Sequence, residues 1–139
     1  MPDNVIAKKT EDFAVRIVKL WKHLTKSNEY EISHQIKKSG TSIGANVIEG
    51  LFAQSKKDFI SKMSIALKEC AETQYWLRIL HRTDYLSDIE FKSLNTDADE
   101  IGRILSTIIR TAKKSINNNN NNNNEDDVFV IDDESIKSS

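Results

Sequence analysis

Few residues of this chain could do chemistry. His23, His34, His81 and Cys70 are its only imidazole and thiol groups. Glu31-Ile32-Ser33-His34 has the Glu-x-x-His spacing, which puts a carboxylate and an imidazole on one helix face. Di-iron bundles use two such elements plus a glutamate from each of two further helices. Here the element occurs once, at a helix start where water is the expected neighbour. His23 and His81 offer no paired spacing and Cys70 has no partner, so no metal and no other cofactor is expected. We read no nucleophile elbow, P-loop or dinucleotide fingerprint in the chain. These residues point away from an enzyme.

Cations make a more coherent pattern. Lys19, Lys22 and Lys26 fall on one face of a helix, and Arg103, Arg110, Lys113 and Lys114 on one face of another. Aromatic residues are not interleaved with them for base stacking, so any nucleic acid would be held mainly through its phosphates, without sequence preference. The competing explanation for the second group is the helix dipole, which favours cations near a C-terminus. Residues 1–116 carry 19 Lys+Arg against 15 Asp+Glu, whereas residues 117–139 set Lys137 against six acids. A mildly basic body therefore carries an acidic tail. Within that tail Val128, Phe129, Val130 and Ile131 form a short β-prone run between acids. It suits a strand added to a protein partner's sheet edge; the alternative is a disordered, solubilising segment.

Four helical segments must position these groups. In the first, Phe13, Ile17, Leu20, Trp21 and Leu24 recur at steps of three and four, with Thr10 as the expected N-cap. The second starts near Glu31, and Ile32, Ile36, Ile43, Val47 and Leu51 make one stripe. That stripe keeps its phase through Gly40 and Gly44. Each interior glycine costs roughly 0.5–1 kcal/mol against alanine, so a neighbouring helix is expected to pack on this bare backbone. The competing reading is a break at Gly40. Gly50 is expected at the helix end, in the left-handed conformation.

The third helix opens with Ser55-Lys56-Lys57-Asp58, a capping-box pattern, and the fourth with Ser87-Asp88-Ile89-Glu90. The third carries Phe59, Ile60, Met63, Ala66, Leu67, Cys70, Trp76, Leu77 and Leu80, more apolar surface than one stripe. That implies cover on two sides by bundle neighbours or by another subunit, with part of Trp76, Leu77 and Leu80 expected between subunits. The fourth carries Phe91, Leu94, Ala98, Ile101, Leu105, Ile108 and Ala112. The fold expected is all-α, an antiparallel up-down-up-down four-helix bundle over residues 1–116. Eight asparagines at 117–124 read as a flexible linker, and 125–139 as an acidic tail with its apolar motif. No apolar run approaches the roughly 18 residues of a membrane span. The opening MPDNVIAKK lacks the apolar core of a secretory signal, and one cysteine allows no internal disulfide, so the cytoplasm is the expected compartment.

The stretch TSIGANVIEG followed by AQSKKDFISKMSIALKECAETQYWLRIL resembles a family of small four-helix bundles first noticed as proteins encoded by intervening sequences inside bacterial 23S ribosomal RNA genes. That family is in turn similar in fold to the accessory proteins of diversity-generating retroelements. The resemblance spans about residues 10–116. It implies a homopentamer with a central channel, and suspected association with RNA. Ser42, Gly44, Asn46, Glu49 and Gly50 belong to its most specific motif. A structural role is expected for them, the carboxylate paired with Lys or Arg or capping a backbone group; ligand contact by Asn46 and Glu49 is the alternative. The mild charge of the body and the asparagine-spaced tail depart from the family pattern. The combined expectation is a homo-oligomeric binding scaffold that displays its acidic C-terminal peptide to a protein partner; an RNA or ribonucleoprotein accessory is the alternative.

Overall fold

The computed structural model describes residues 4–122, with side chains to Asn118. Its elements are α1 (Val5–Lys26), α2 (Glu31–Leu51), α3 (Lys56–Arg82) and α4 (Asp88–Asn122). No strand occurs among the described residues. Successive helices run antiparallel, as cross-helix pairs show. Ile17 lies against Gly40 and Thr10 against Gly44. Ser39 meets Thr73, and Cys70 meets Ala98. Arg16 reaches Asp97 and Lys9 reaches Glu100, so α4 returns beside α1. This is the up-down-up-down bundle.

The core is the sum of the four periodic stripes. Phe13, Ile17, Leu24, Ile36, Ile43, Met63, Leu77, Leu80, Ile101, Leu105 and Ile108 are fully buried. The wide apolar surface of α3 is covered inside one chain, because α3 packs against both α2 and α4. Leu77 and Leu80 are accordingly buried in the bundle, while Trp76 is half-buried.

Several helix ends differ from the sequence reading. The first helix begins at Val5 and not after Thr10. Asn4 is its cap, accepting from the Ile6 and Ala7 N–H groups at 3.0 and 3.3 Å. Ile6 extends the apolar stripe one turn upstream, so Thr10 becomes a buried mid-helix residue whose hydroxyl donates to the Ile6 carbonyl at 2.8 Å. Helices α1 and α3 end in Schellman motifs at Asn28 and Asp84, with φ of 64° and 69°. There the Glu29 N–H returns to Leu24 O and the Tyr85 N–H to Leu80 O. Gly50, by contrast, is helical and has no positive φ. A Cβ there would lie 3.0 Å from Met63 Cε, so its small size lets α3 approach.

Ser55 Oγ accepts from the Asp58 N–H at 3.0 Å. At α4 the capping box is reciprocal: Ser87 N–H donates to Glu90 Oε1 at 2.9 Å and Glu90 N–H to Ser87 Oγ at 3.1 Å. The longer glutamate spans the return distance. Helix α4 also runs on to Asn122, six residues into the asparagine tract expected to begin a flexible linker. Asparagine is only modestly poorer than alanine in a helix, and no Gly or Pro stops propagation. The remainder of the linker and the tail 125–139 lie outside the described residues.

Gly40 and Gly44 both sit inside continuous α2 and both face α1, but unequally. A Cβ at Gly40 would lie 2.8 Å from Ile17 Cγ2 and 2.9 Å from Cγ1, closer than packed carbons come. At Gly44 the nearest atom would be Thr10 Oγ1 at 3.3 Å. Gly40→Ala is therefore expected to destabilise the fold by about 1–3 kcal/mol through overpacking, despite alanine's better helix propensity. Gly44→Ala is expected to stay within about 1 kcal/mol, propensity offsetting the lighter contact. Thermal denaturation of both variants measures the difference; equal melting temperatures would contradict it.

Candidate functional site

Every residue of the Glu-x-x-His element is accounted for locally. Glu31 and His34 are exposed at the start of α2, where buried Glu29 holds the Ile32 and Ser33 N–H groups at 2.9 and 2.6 Å. His81 pairs with Asp88 at 2.6 Å and stacks on Phe91. No group of three or more metal-ligating side chains gathers among the described residues. Against the expectation of no such spacing, Gly40-Thr41-Ser42-Ile43-Gly44 carries the bare Gly-x-Ser-x-Gly pattern of a nucleophile elbow. The elbow needs a strand-to-helix turn that exposes a strained serine. Here the segment is mid-helix, and Ser42 donates to the Lys38 carbonyl at 2.6 Å.

The other polar residues of that motif make one bond within α2 and one loose pair to α3. Asn46 Nδ2 donates to the Ser42 carbonyl at 2.8 Å, and Glu49 lies 3.8 Å from Lys62. Both are in water contact, so their worth to stability is small. Nearby, burial raises the carboxyl pKa of Glu69 above its ordinary value, with Glu72 adding to the rise.

The cations divide into two regions. Lys19, Lys22 and Lys26 are exposed along α1. The one large aromatic among them, Trp21, carries Lys37 over its ring at 3.8 Å, which occupies that face. Arg103, Arg110, Lys113 and Lys114 border a shallow groove between α3 and α4, and these four and the three α1 lysines are absent from the ion pairs of the described residues. Two adjoining depressions of about 450 and 390 Å³ make up this groove, sharing Leu67, Ser106 and Arg110. Its floor is apolar, from Leu67 and Ile109, and Gly102 with Ser106 one turn later keeps it open. Lys56, 3.5 Å from Ser115, adds a further cation toward its lower end. Asp99 lies at the upper end, held by Gln74 at 2.7 Å.

Helix α4 changes the dipole argument made from sequence. Its last turn contains no basic residue, because Lys113 and Lys114 are more than two turns from Asn122. The dipole's influence is confined to the final turn. The four cations thus converge without that explanation. Sequence reading took Leu67 for core and passed over Gly102; the available signal was the small pair Gly102 and Ser106 at four-residue spacing, flanked by Arg103 and Arg110.

The family described as 23S rRNA-intervening sequence protein matches residues 2–107. The chain belongs to that family. A crystal structure at 1.70 Å resolution of a protein of unknown function, from the S23 ribosomal protein family of Bacteroides thetaiotaomicron VPI-5482, is 50% identical. The two superpose with a TM-score of 0.75 over 76% of this chain and 98% of that one. No curated protein matches. The likeness to retroelement accessory proteins rests on the sequence resemblance alone. The intervening-sequence family match includes Arg103 but stops before Arg110, Lys113 and Lys114. Among the described residues no helix is long and apolar enough to cross a membrane.

Cys70 lies under the groove, its thiol donating to the Ala98 carbonyl at 3.2 Å. Burial, aided by the charge of Asp99, pushes its pKa from 9.0 up to about 11, against the pull of the Gly102 N–H. The folded chain therefore keeps this proton where the unfolded chain releases it. The associated stability is complete below pH 9 and declines as pH rises toward 11. Relative to Cys70→Ala, the wild-type protein is expected to lose about 2–3 kcal/mol across that window. Denaturant titrations at pH 8 and pH 11 check this; parallel curves would show that the thiol is effectively solvated.

Proposed function

We propose that this intervening-sequence family member is a non-enzymatic, homo-oligomeric binding scaffold of the cytoplasm, offering its acidic C-terminal segment to a protein partner. The single observation that carries the oligomeric part is apolar surface left over after the core is complete. Phe52, just past the end of α2, is 70% exposed, and Ile48 on α2 and Ile65 and Tyr75 on α3 are exposed as well. The Trp76 indole N–H is shielded from solvent yet has no acceptor. A buried donor without a partner costs about 1–3 kcal/mol, and a second copy could supply the missing acceptor. Repetition of the chain, as in the pentamer the family resemblance implies, would present several tails together and raise their effective concentration.

Light scattering is expected to return several times 15.9 kDa at micromolar concentration. Removing residues 125–139 should leave that mass unchanged while abolishing partner capture. A monomer would remove the scaffold reading, and capture without the tail would remove the display reading.

A second reading, RNA binding, is favoured by cations that have no ion-pair partner among the described residues. Lys19, Lys22 and Lys26 on α1, or the four cations of the groove, would contact phosphates, and oligomerisation would multiply a weak patch. Binding of a single-stranded homopolymer RNA should then weaken steeply with salt, each neutralised phosphate contributing a slope of roughly −0.7 in log K against log salt. Replacing Lys19, Lys22 and Lys26 by Glu should abolish binding through the α1 stripe and spare binding through the groove. A flat salt dependence, or no binding at low salt, rules this reading out.

A further inference from the structure

We infer that the α3–α4 groove is the resting place of the chain's own acidic tail, folded back in cis along α4. The inference takes from the proposed function only the groove's character as an anion-binding surface, and applies before any partner engages the tail.

Three properties of the groove select this occupant. Its charge is the first: Arg103, Arg110, Lys113 and Lys114 border it without a carboxylate partner among the described residues, while residues 125–134 supply six acids. Its floor is the second: Leu67 and Ile109 are apolar, and the tail places Val128–Ile131 between its two acidic clusters. A polyanion without apolar groups would satisfy the rim and waste the floor.

The third is length. Lys114 lies eight residues before Asn122 along α4, about 12 Å at 1.5 Å per residue, and Arg103 about 28 Å. A chain reversing after Asn122 in extended form advances about 3.3 Å per residue. With about two residues spent on the reversal, Asp127 returns about 10 Å, close to the level of Lys114 and Lys113. Val128–Ile131 return about 13–23 Å, over Arg110 and toward Ser106 and Leu67. Asp132 and Asp133 return about 26–30 Å, the level of Arg103 and short of Asp99 at about 35 Å. Acids meet cations at both ends and apolar meets apolar between. Asp99, at the upper limit, marks where an acidic segment would stop.

The consequence is competition: the docked tail covers the cations that would meet phosphate, and withholds the apolar run from a protein partner. Zero-length carbodiimide cross-linking of the full chain, followed by peptide mass spectrometry, tests this. Links from Asp126 and Asp127 to Lys113 and Lys114 are expected to dominate over links to Lys19, Lys22 or Lys26. They should fall at least fivefold in 0.5 M salt, and equally when Val128–Ile131 are replaced by serine. The serine variant separates docking from mere tethering, since it leaves tail length and charge unchanged. Links indifferent to that replacement overturn the inference. Mixing light and heavy isotope-labelled protein identifies the donor chain, and links predominantly of mixed isotope would assign the groove to a second copy's tail and overturn the cis assignment. None of these outcomes bears on particle mass, so the scaffold reading stands or falls separately.

Discussion

The spacing between α1 and α2 is set where Ile17 rests on the bare backbone of Gly40. Interiors are packed as densely as organic crystals, so a contact this close fixes the positions of everything downstream. With α2 drawn in, Ser39 reaches Thr73 on α3 at 2.9 Å, and Gly50 admits Met63. Helix α3 in turn places Cys70 beneath Ala98 and Gly102 of α4, which opens the groove. The small residues of α2 and α4 thus do one job in two settings. At Gly40 the missing side chain is filled by a neighbour; at Gly102 the nearest α3 atom to a Cβ would be 3.8 Å away, and the space is left on the surface.

Periodic apolar residues made four helices legible before any coordinates. Ile36, Ile43 and Val47 keep phase across two glycines, and a phase kept is stronger evidence than a propensity lost. Helix ends were less legible because several caps compete within a few residues. Thr10 is an acceptable N-cap, but Asn4 lets Ile6 join the core, and burial of a large side chain outweighs the difference between caps. Gly50 looked like a terminator; Asn28 and Asp84 fill that role elsewhere in the chain, in αL geometry that short polar side chains tolerate.

The groove was only half legible. Its cations share a helical face and could be counted from the sequence. Its floor could not, since Leu67 reads as core until α3 and α4 are placed side by side. A residue at the edge of a stripe is core or groove lining according to the neighbour's size opposite it, and sequence periodicity carries no information about that neighbour. The identity of α4's last residue also mattered, because it removed the dipole as an account of Lys113 and Lys114.

The seam between α1 and α4 is unlike the other three. Arg16 grips Asp97 and the Ser93 hydroxyl, and Lys9 pairs with Glu100 one turn further along, all near the surface. Small residues bring α2 close to both α1 and α3. Here the two helices touch least, and the ion pairs that cross the seam lie in water, add little and weaken with salt. A bundle packed closely on three sides and thinly on the fourth has a built-in door. Breathing of the molecule would begin there, exposing the inner faces of its first and last helices while the α2–α3 hairpin stays intact.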